Sequence, residues 1–267
     1  MKHNFKIIAI LTILFLSAQF LGLFISYKYF NKPLPYNIQK PEFEEETSYV
    51  QIFVSILIVT FLAIMLIKLK AEKLWKIWFF MSVWFALLIS FSVFMRQEIA
   101  IILALIVTIF KVIRPNIIVH NLAELFIYGG LAAIFSSSLS VFSVSILLLL
   151  ISIYDMIAVW KTKHMIKLAK FQTKLKVFAG LLIPYKYKKE IKTAILGGGD
   201  IGFPLLFASA VLKSLGPAFS FKALIIPITT SMLLVALFIF GKKNHFYPAM
   251  PFLSIGCFLG YLIVLLI

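Results

Sequence analysis

Apolar residues run along this chain in long unbroken stretches, separated by short segments that gather most of the charge. The stretches lie near 5–26, 50–67, 77–95, 99–113, 117–135, 140–160, 194–212, 223–240 and 248–267. Most are about as long as the roughly 20 residues a helix needs to cross a bilayer. They show no strict two-residue alternation. Backbone polar groups in lipid must be satisfied within the segment, so the pattern predicts helices and not a barrel. The stretch near 99–113 is the shortest. The first follows Lys2 and His3 and has no A-x-A-like site after it. It is therefore expected to remain as a helix and not to act as a cleaved signal.

The charges give the predicted spans a direction. With the N-terminus in the cytoplasm, the inside segments are the start of the chain, 68–76, 111–116, 161–193 and 241–247. These hold 20 of the 26 Lys and Arg residues, and the outside segments hold 6. Such an asymmetry is the topology signal of membrane proteins. It supports nine spans with the N-terminus inside and the C-terminus outside. The outer segment 27–49 carries Glu42, Glu44, Glu45 and Glu46 with Pro33, Pro35 and Pro41, and reads as a solvated connection. The segment 161–193 holds 10 lysines and reads as a loop held against anionic headgroups. The expectation is a single all-α domain over 1–267, a multi-pass protein of the cell membrane. No internal repeat points to a transporter made of two similar halves.

Composition agrees. Hydrophobic residues make up 62% of the 267 positions, only 13% are charged, and mean hydropathy is +1.04. That much apolar surface does not fit inside one soluble core. A net charge of +16 can signal nucleic acid, but here the lysines sit between spans, so lipid and not nucleic acid is the expected partner. Cys257, the one cysteine, lies in an apolar run and reads as a small buried residue. His3, His120, His164 and His245 show no metal-ligand spacing. No metal or organic cofactor is expected.

Three acids fall inside predicted spans: Glu124, Asp155 and Asp200. A charge at membrane depth costs roughly 2.5–3.5 kcal/mol even on lenient scales, so such residues are functional candidates by default. Asp155 precedes Lys161 by about 9 Å of helix, and Asp200 follows Lys192 by about 12 Å at the same rise. Spans six and seven run in opposite directions from a shared cytoplasmic connection. The two acids therefore share a depth. Two close carboxylates of low polarity surroundings do not readily both ionise, and the pair can hold one proton between them. That state suits peptide hydrolysis, but it suits a proton or cation site equally well.

Gly197, Gly198 and Gly199 strip side chains from the approach to Asp200. They make room either for an extended substrate strand or for tight helix packing. Tyr154 is a hydrogen-bonding neighbour of the pair or an interfacial aromatic. Pro248, Ala249 and Met250 open the last span and are either an ordinary helix start or part of the site. Glu124 reads as a buried structural acid bonded to its neighbours, with a place in an active-site water network as the other reading. Ser136, Ser137 and Ser138 lack a histidine partner and read as a loop, against serine chemistry.

Taken together, Tyr154 with Asp155 resembles the Y-D motif of presenilins and signal peptide peptidases. The run from Gly197 to Asp200 resembles their G-x-G-D motif, and Pro248, Ala249 and Met250 resemble their P-A-L motif with Met for Leu, a volume-conserving change. Order and placement in the spans agree as well. The orientation and Pro251 look more like presenilin than signal peptide peptidase, and the short 161–193 connection looks like a microbial, archaeal homologue. The resemblance implies an intramembrane aspartyl protease with Asp155 and Asp200 as the catalytic pair. Tyr154, Gly197, Gly198, Gly199, Pro248, Ala249 and Met250 would shape a cleft for transmembrane protein or peptide substrates. Two rivals stand beside it: a proton- or cation-coupled transporter or channel, and a scaffold that binds transmembrane helices.

Overall fold

The computed structural model describes residues 5–41, 47–135, 139–162, 164–175, 177–187, 190–241 and 247–267. Lys2, His3, Glu42, Glu44, Glu45, Glu46, Ser136, Ser137, Ser138, Lys243 and His245, all weighed in the sequence, lie outside the described residues.

The apolar stretches are helices. Among the described residues these are α1 (Phe5–Tyr29), α2 (Ser48–Lys68), α3 (Glu72–Phe91), α4 (Gln97–Val112), α5 (Ile117–Phe135), α6 (Val141–Met156), α8 (Gly198–Leu215), α9 (Ile225–Phe240) and α10 (Met250–Leu266), with the short polar α7 (His164–Lys174) between α6 and α8. A π-helical turn, Ile157–Lys161, continues α6, and a 3-10 segment, Pro217–Leu224, leads into α9. Among the described residues six helical segments are long and apolar enough to cross a membrane: α1, α2, α3, α5, Val141–Lys161 and Phe221–Phe240. α10 is apolar but has 17 residues, and α4 has 16.

Two expectations need correction. The 161–193 connection is not a plain loop, and the chain is not all-α. Residues Gly180–Tyr187 (β1) and Glu190–Gly197 (β2) form an antiparallel hairpin in which Gly180 pairs with Gly197. The signal is a short period-2 pattern: Leu181, Ile183, Ala194 and Leu196 are buried, while Ile195 between two of them is exposed. The predicted helix 194–212 accordingly begins only at Gly198, and the four residues before it are strand. The helical rise used to set the depth of Asp200 from Lys192 therefore does not apply. A strand advances about 3.3 Å per residue, roughly twice a helix.

The main core joins α1, α5, α6, α8, α9, α10 and the hairpin. α1 packs on α5, α8 and α9, and α10 packs on α9, α6 and α8. α6 and α8 touch, so the two aspartate-bearing elements are neighbours. Buried Gln19 donates to the Ile201 carbonyl at 2.8 Å and ties α1 to the start of α8. Ser152 and Ser254 meet at 2.8 Å and tie α6 to α10. α2 stands apart, with most of its apolar surface turned outward: Phe61 is 68% exposed. That is the surface of a helix whose solvent is hydrocarbon.

Candidate active site

The two aspartates reach the site by different local means. Asp155 sits in the last turn of α6, just before the π-helical turn, a distortion frequent at functional sites. Asp200 sits in the first turn of α8, where unpaired backbone N–H groups and the helix dipole favour a carboxylate. β2 delivers the chain to that turn, and the Gly198 N–H donates to the Ala179 carbonyl at 3.0 Å, closing the base of the hairpin.

The start of α10 bears on Asp155. The Met250 N–H donates to Asp155 Oδ2 at 3.2 Å, so one of the first free N–H groups of that helix is spent on the carboxylate. Pro251 follows inside the first turn, where a missing N–H costs nothing. This segment is an ordinary helix start whose first N–H groups also reach Asp155.

A cavity of about 1650 Å³ gathers these elements. Tyr154, Asp155, Gly197, Gly198, Gly199, Asp200, Ala249 and Met250 all line it, while Pro248 is buried behind. The volume exceeds the roughly 300–1,000 Å³ of small-molecule pockets. α2 supplies one wall through Ile52, Ile56 and Val59, and the hairpin another through Tyr185, Thr193 and Ile195. Two carboxylates facing one cavity can share a proton and polarise a water.

The glycines are not equivalent. A Cβ on Gly198 would lie 2.9 Å from Tyr128 Oη and 3.2 Å from the Ala179 carbonyl. On Gly197 it would lie 3.2 Å from Asp200 Oδ2. On Gly199 it would meet only Phe203 at 3.5 Å, and Gly199 is the exposed one, facing the cavity. The Tyr154 hydroxyl pairs with His164 Nε2 at 2.8 Å, and burial holds the His164 imidazole below its ordinary pKa.

Glu124 is 1% exposed and fully engaged. Lys111 Nζ, equally buried, meets Glu124 Oε1 at 2.5 Å, and the Tyr128 hydroxyl donates to Glu124 Oε2. Lys111 also contacts His120 Nδ1 at 3.0 Å, and His120 Nε2 meets the Gly180 carbonyl at 2.8 Å. Glu124 is thus bonded to its neighbours, and it also lines the cavity. Sequence reasoning missed its company, above all Tyr128, which lines the cavity. A signal was present: His120, Glu124 and Tyr128 recur every four residues on one helix face.

Comparison with known proteins follows the same line. The family model described as "Signal-peptide peptidase, presenilin aspartyl protease" matches residues 12–267. Two solved structures of a presenilin family intramembrane aspartate protease share this fold. One, in space group C222, has TM-score 0.68 and 20% identity over 97% of this chain and 98% of that one. The other, in space group P2, has TM-score 0.67 and 20% identity over 96% of each. No curated protein sequence matches.

Proposed function

The chain belongs to the signal-peptide peptidase and presenilin aspartyl protease family, a multi-pass membrane protease of the aspartyl type, and on that premise we propose that Asp155 and Asp200 are its catalytic pair. The observation that carries the assignment is their shared cavity: both acids line it from neighbouring helices, and the start of α10 bonds Asp155 there. Family membership leaves the transporter reading without support.

The proposed reaction needs only the pair and a water. One aspartate, ionised, takes a proton from the water as its oxygen bonds to the peptide carbon. The other, protonated, donates to the carbonyl oxygen. The tetrahedral intermediate then collapses, the C–N bond breaks, and the leaving nitrogen takes a proton from the pair. The titration belongs to the pair and not to either residue.

The substrates are transmembrane segments of proteins. A helix shields its own carbonyls, so a substrate must unwind locally to be cut. Gly199, open to the cavity, leaves room for an extended chain, and the hairpin offers an outer edge for strand addition beside Asp200. Tyr154, Gly197, Gly198, Pro248, Ala249 and Met250 shape that cleft. The lysine asymmetry supports nine spans in one domain over 1–267, in the cell membrane with the N-terminus cytoplasmic. In that arrangement α4, α8 and α10 complete the set of crossings.

The test is incubation of the pure protein with a transmembrane peptide, with products read by mass spectrometry. Asp155→Asn and Asp200→Asn should each lower cleavage by at least about 10²–10⁴-fold, the worth of general acid–base help. The double variant should be little worse than either single one, because the groups act as a unit. Near wild-type cleavage by a folded Asp200→Asn variant would overturn the assignment.

A further inference from the structure

The buried polar residues of α5 are not spread at random around the helix. His120, Glu124 and Tyr128 follow one another at four-residue steps and form a single stripe. All three are buried, at 6%, 1% and 3% exposure. A stripe of this kind inside a membrane protein is costly unless every group is paired. Here the pairing is directional. His120 Nε2 meets a backbone carbonyl, Gly180 O, so that nitrogen carries the hydrogen. Nδ1 of the neutral ring then accepts, and the Lys111 ammonium is its donor at 3.0 Å. The same ammonium donates to Glu124 Oε1, and the Tyr128 hydroxyl donates to Glu124 Oε2.

Both ends of this chain of bonds reach the base of the hairpin that leads into Asp200 on α8. At one end His120 holds Gly180, which pairs with Gly197 across the hairpin. The adjacent Asn121 reinforces the hold with two bonds to Leu182, donating to its carbonyl at 2.8 Å and accepting its N–H at 2.9 Å. At the other end Tyr128 stands beside Gly198. Its hydroxyl lies 2.9 Å from where a Cβ on that glycine would stand, and Gly198 in turn bonds Ala179. Asp200 follows two residues later. Orientation of Tyr128 depends on Glu124, because the carboxylate is the acceptor that fixes its hydroxyl.

We propose that the His120, Glu124 and Tyr128 stripe, neutralised by Lys111, is a positioning device for Asp200, with Tyr128 as the residue that sets the Gly198 backbone. The proposal rests on Asp200 being one of the catalytic pair. Its logic is that Gly197, Gly198 and Gly199 bring no side chains of their own to hold the turn that leads to Asp200. The turn is held by its neighbours, and α5 is one of the elements that pack on both β1 and α8. Displacement by about 1 Å at a reacting group can cost on the order of 10²-fold in rate.

Three variants of the full chain test this on a transmembrane peptide, with Asp200→Asn alongside. Tyr128→Phe keeps the ring and removes the hydroxyl. It should lower kcat by about 10- to 100-fold with KM held within about twofold, in a protein that remains folded. Lys111→Met with Glu124→Gln removes both charges but keeps an acceptor for the Tyr128 hydroxyl. It should lower kcat clearly less than Tyr128→Phe does. A variant that serves even if Tyr128→Phe does not fold is Gly198→Ala, which pushes on the same contact and should also lose kcat and not KM. A folded Tyr128→Phe with wild-type kcat, or one changed only in KM, overturns the proposal. So does a Lys111→Met, Glu124→Gln protein as slow as Tyr128→Phe. Cleavage by Asp200→Asn would instead overturn the catalytic assignment beneath it.

Discussion

Replacing one member of the Lys111 and Glu124 pair should cost far more than replacing both. Each side chain is 1% exposed, and they meet at 2.5 Å. Water compensates neither charge, so removing one partner strands the other. The cost of that is about 3–5 kcal/mol, whereas exchanging a buried pair for neutral groups of similar volume is often near neutral. Lys111→Met keeps the length of the side chain, and Glu124→Gln keeps an oxygen for the Tyr128 hydroxyl. For a chain of this size about 1 kcal/mol moves Tm by roughly 2–4 °C, so each single variant should melt roughly 6–20 °C lower. The double variant should fall by less than either. Cys257 supplies the assay: it is the one cysteine and is fully buried, so a thiol-reactive fluorophore reports unfolding of the pure protein in detergent. A double-variant Tm lowered by the sum of the two single shifts would refute the reasoning, since additivity means that the two charges do not depend on each other.

The same buried Cys257 leaves a quiet background for topology mapping. Tyr36→Cys should react with an impermeant maleimide on intact cells, and Lys174→Cys only after permeabilisation, both parent residues being exposed; the reverse pattern would invert the proposed orientation. The glycines should separate by stability. Gly198→Ala forces a Cβ against Tyr128 and Ala179 and should cost about 1–3 kcal/mol, as overpacking does, while Gly199→Ala meets only Phe203 at 3.5 Å and should not lower Tm. Equal losses at both positions would mean that helix flexibility and not the Tyr128 contact sets the demand for glycine.

The sequence by itself determined that this chain lives in a membrane, where its helices lie, and which acids to suspect. Those conclusions rest on local quantities. A run of apolar residues states its own solvent, and an aspartate inside such a run is expensive wherever the helix packs. The motifs around Asp155, Asp200 and Met250 were likewise readable, since each is a few adjacent residues. What the sequence did not yield is every feature that joins distant segments. The 180–197 hairpin hid in a lysine-rich stretch because its alternation is short and its stability comes from pairing Gly180 with Gly197 and packing on α5. The beginning of α8 at Gly198 followed from that pairing. So did the failure of the helical depth estimate for Asp200. Met250 as a backbone donor to Asp155 spans 95 residues of sequence, and the bond from His120 to Gly180 spans 60. A buried lysine, histidine, glutamate and tyrosine are each a liability when read alone. Only the tertiary structure, by bringing α4, α5 and the hairpin base together, turns four desolvated polar groups into one mutually satisfied network.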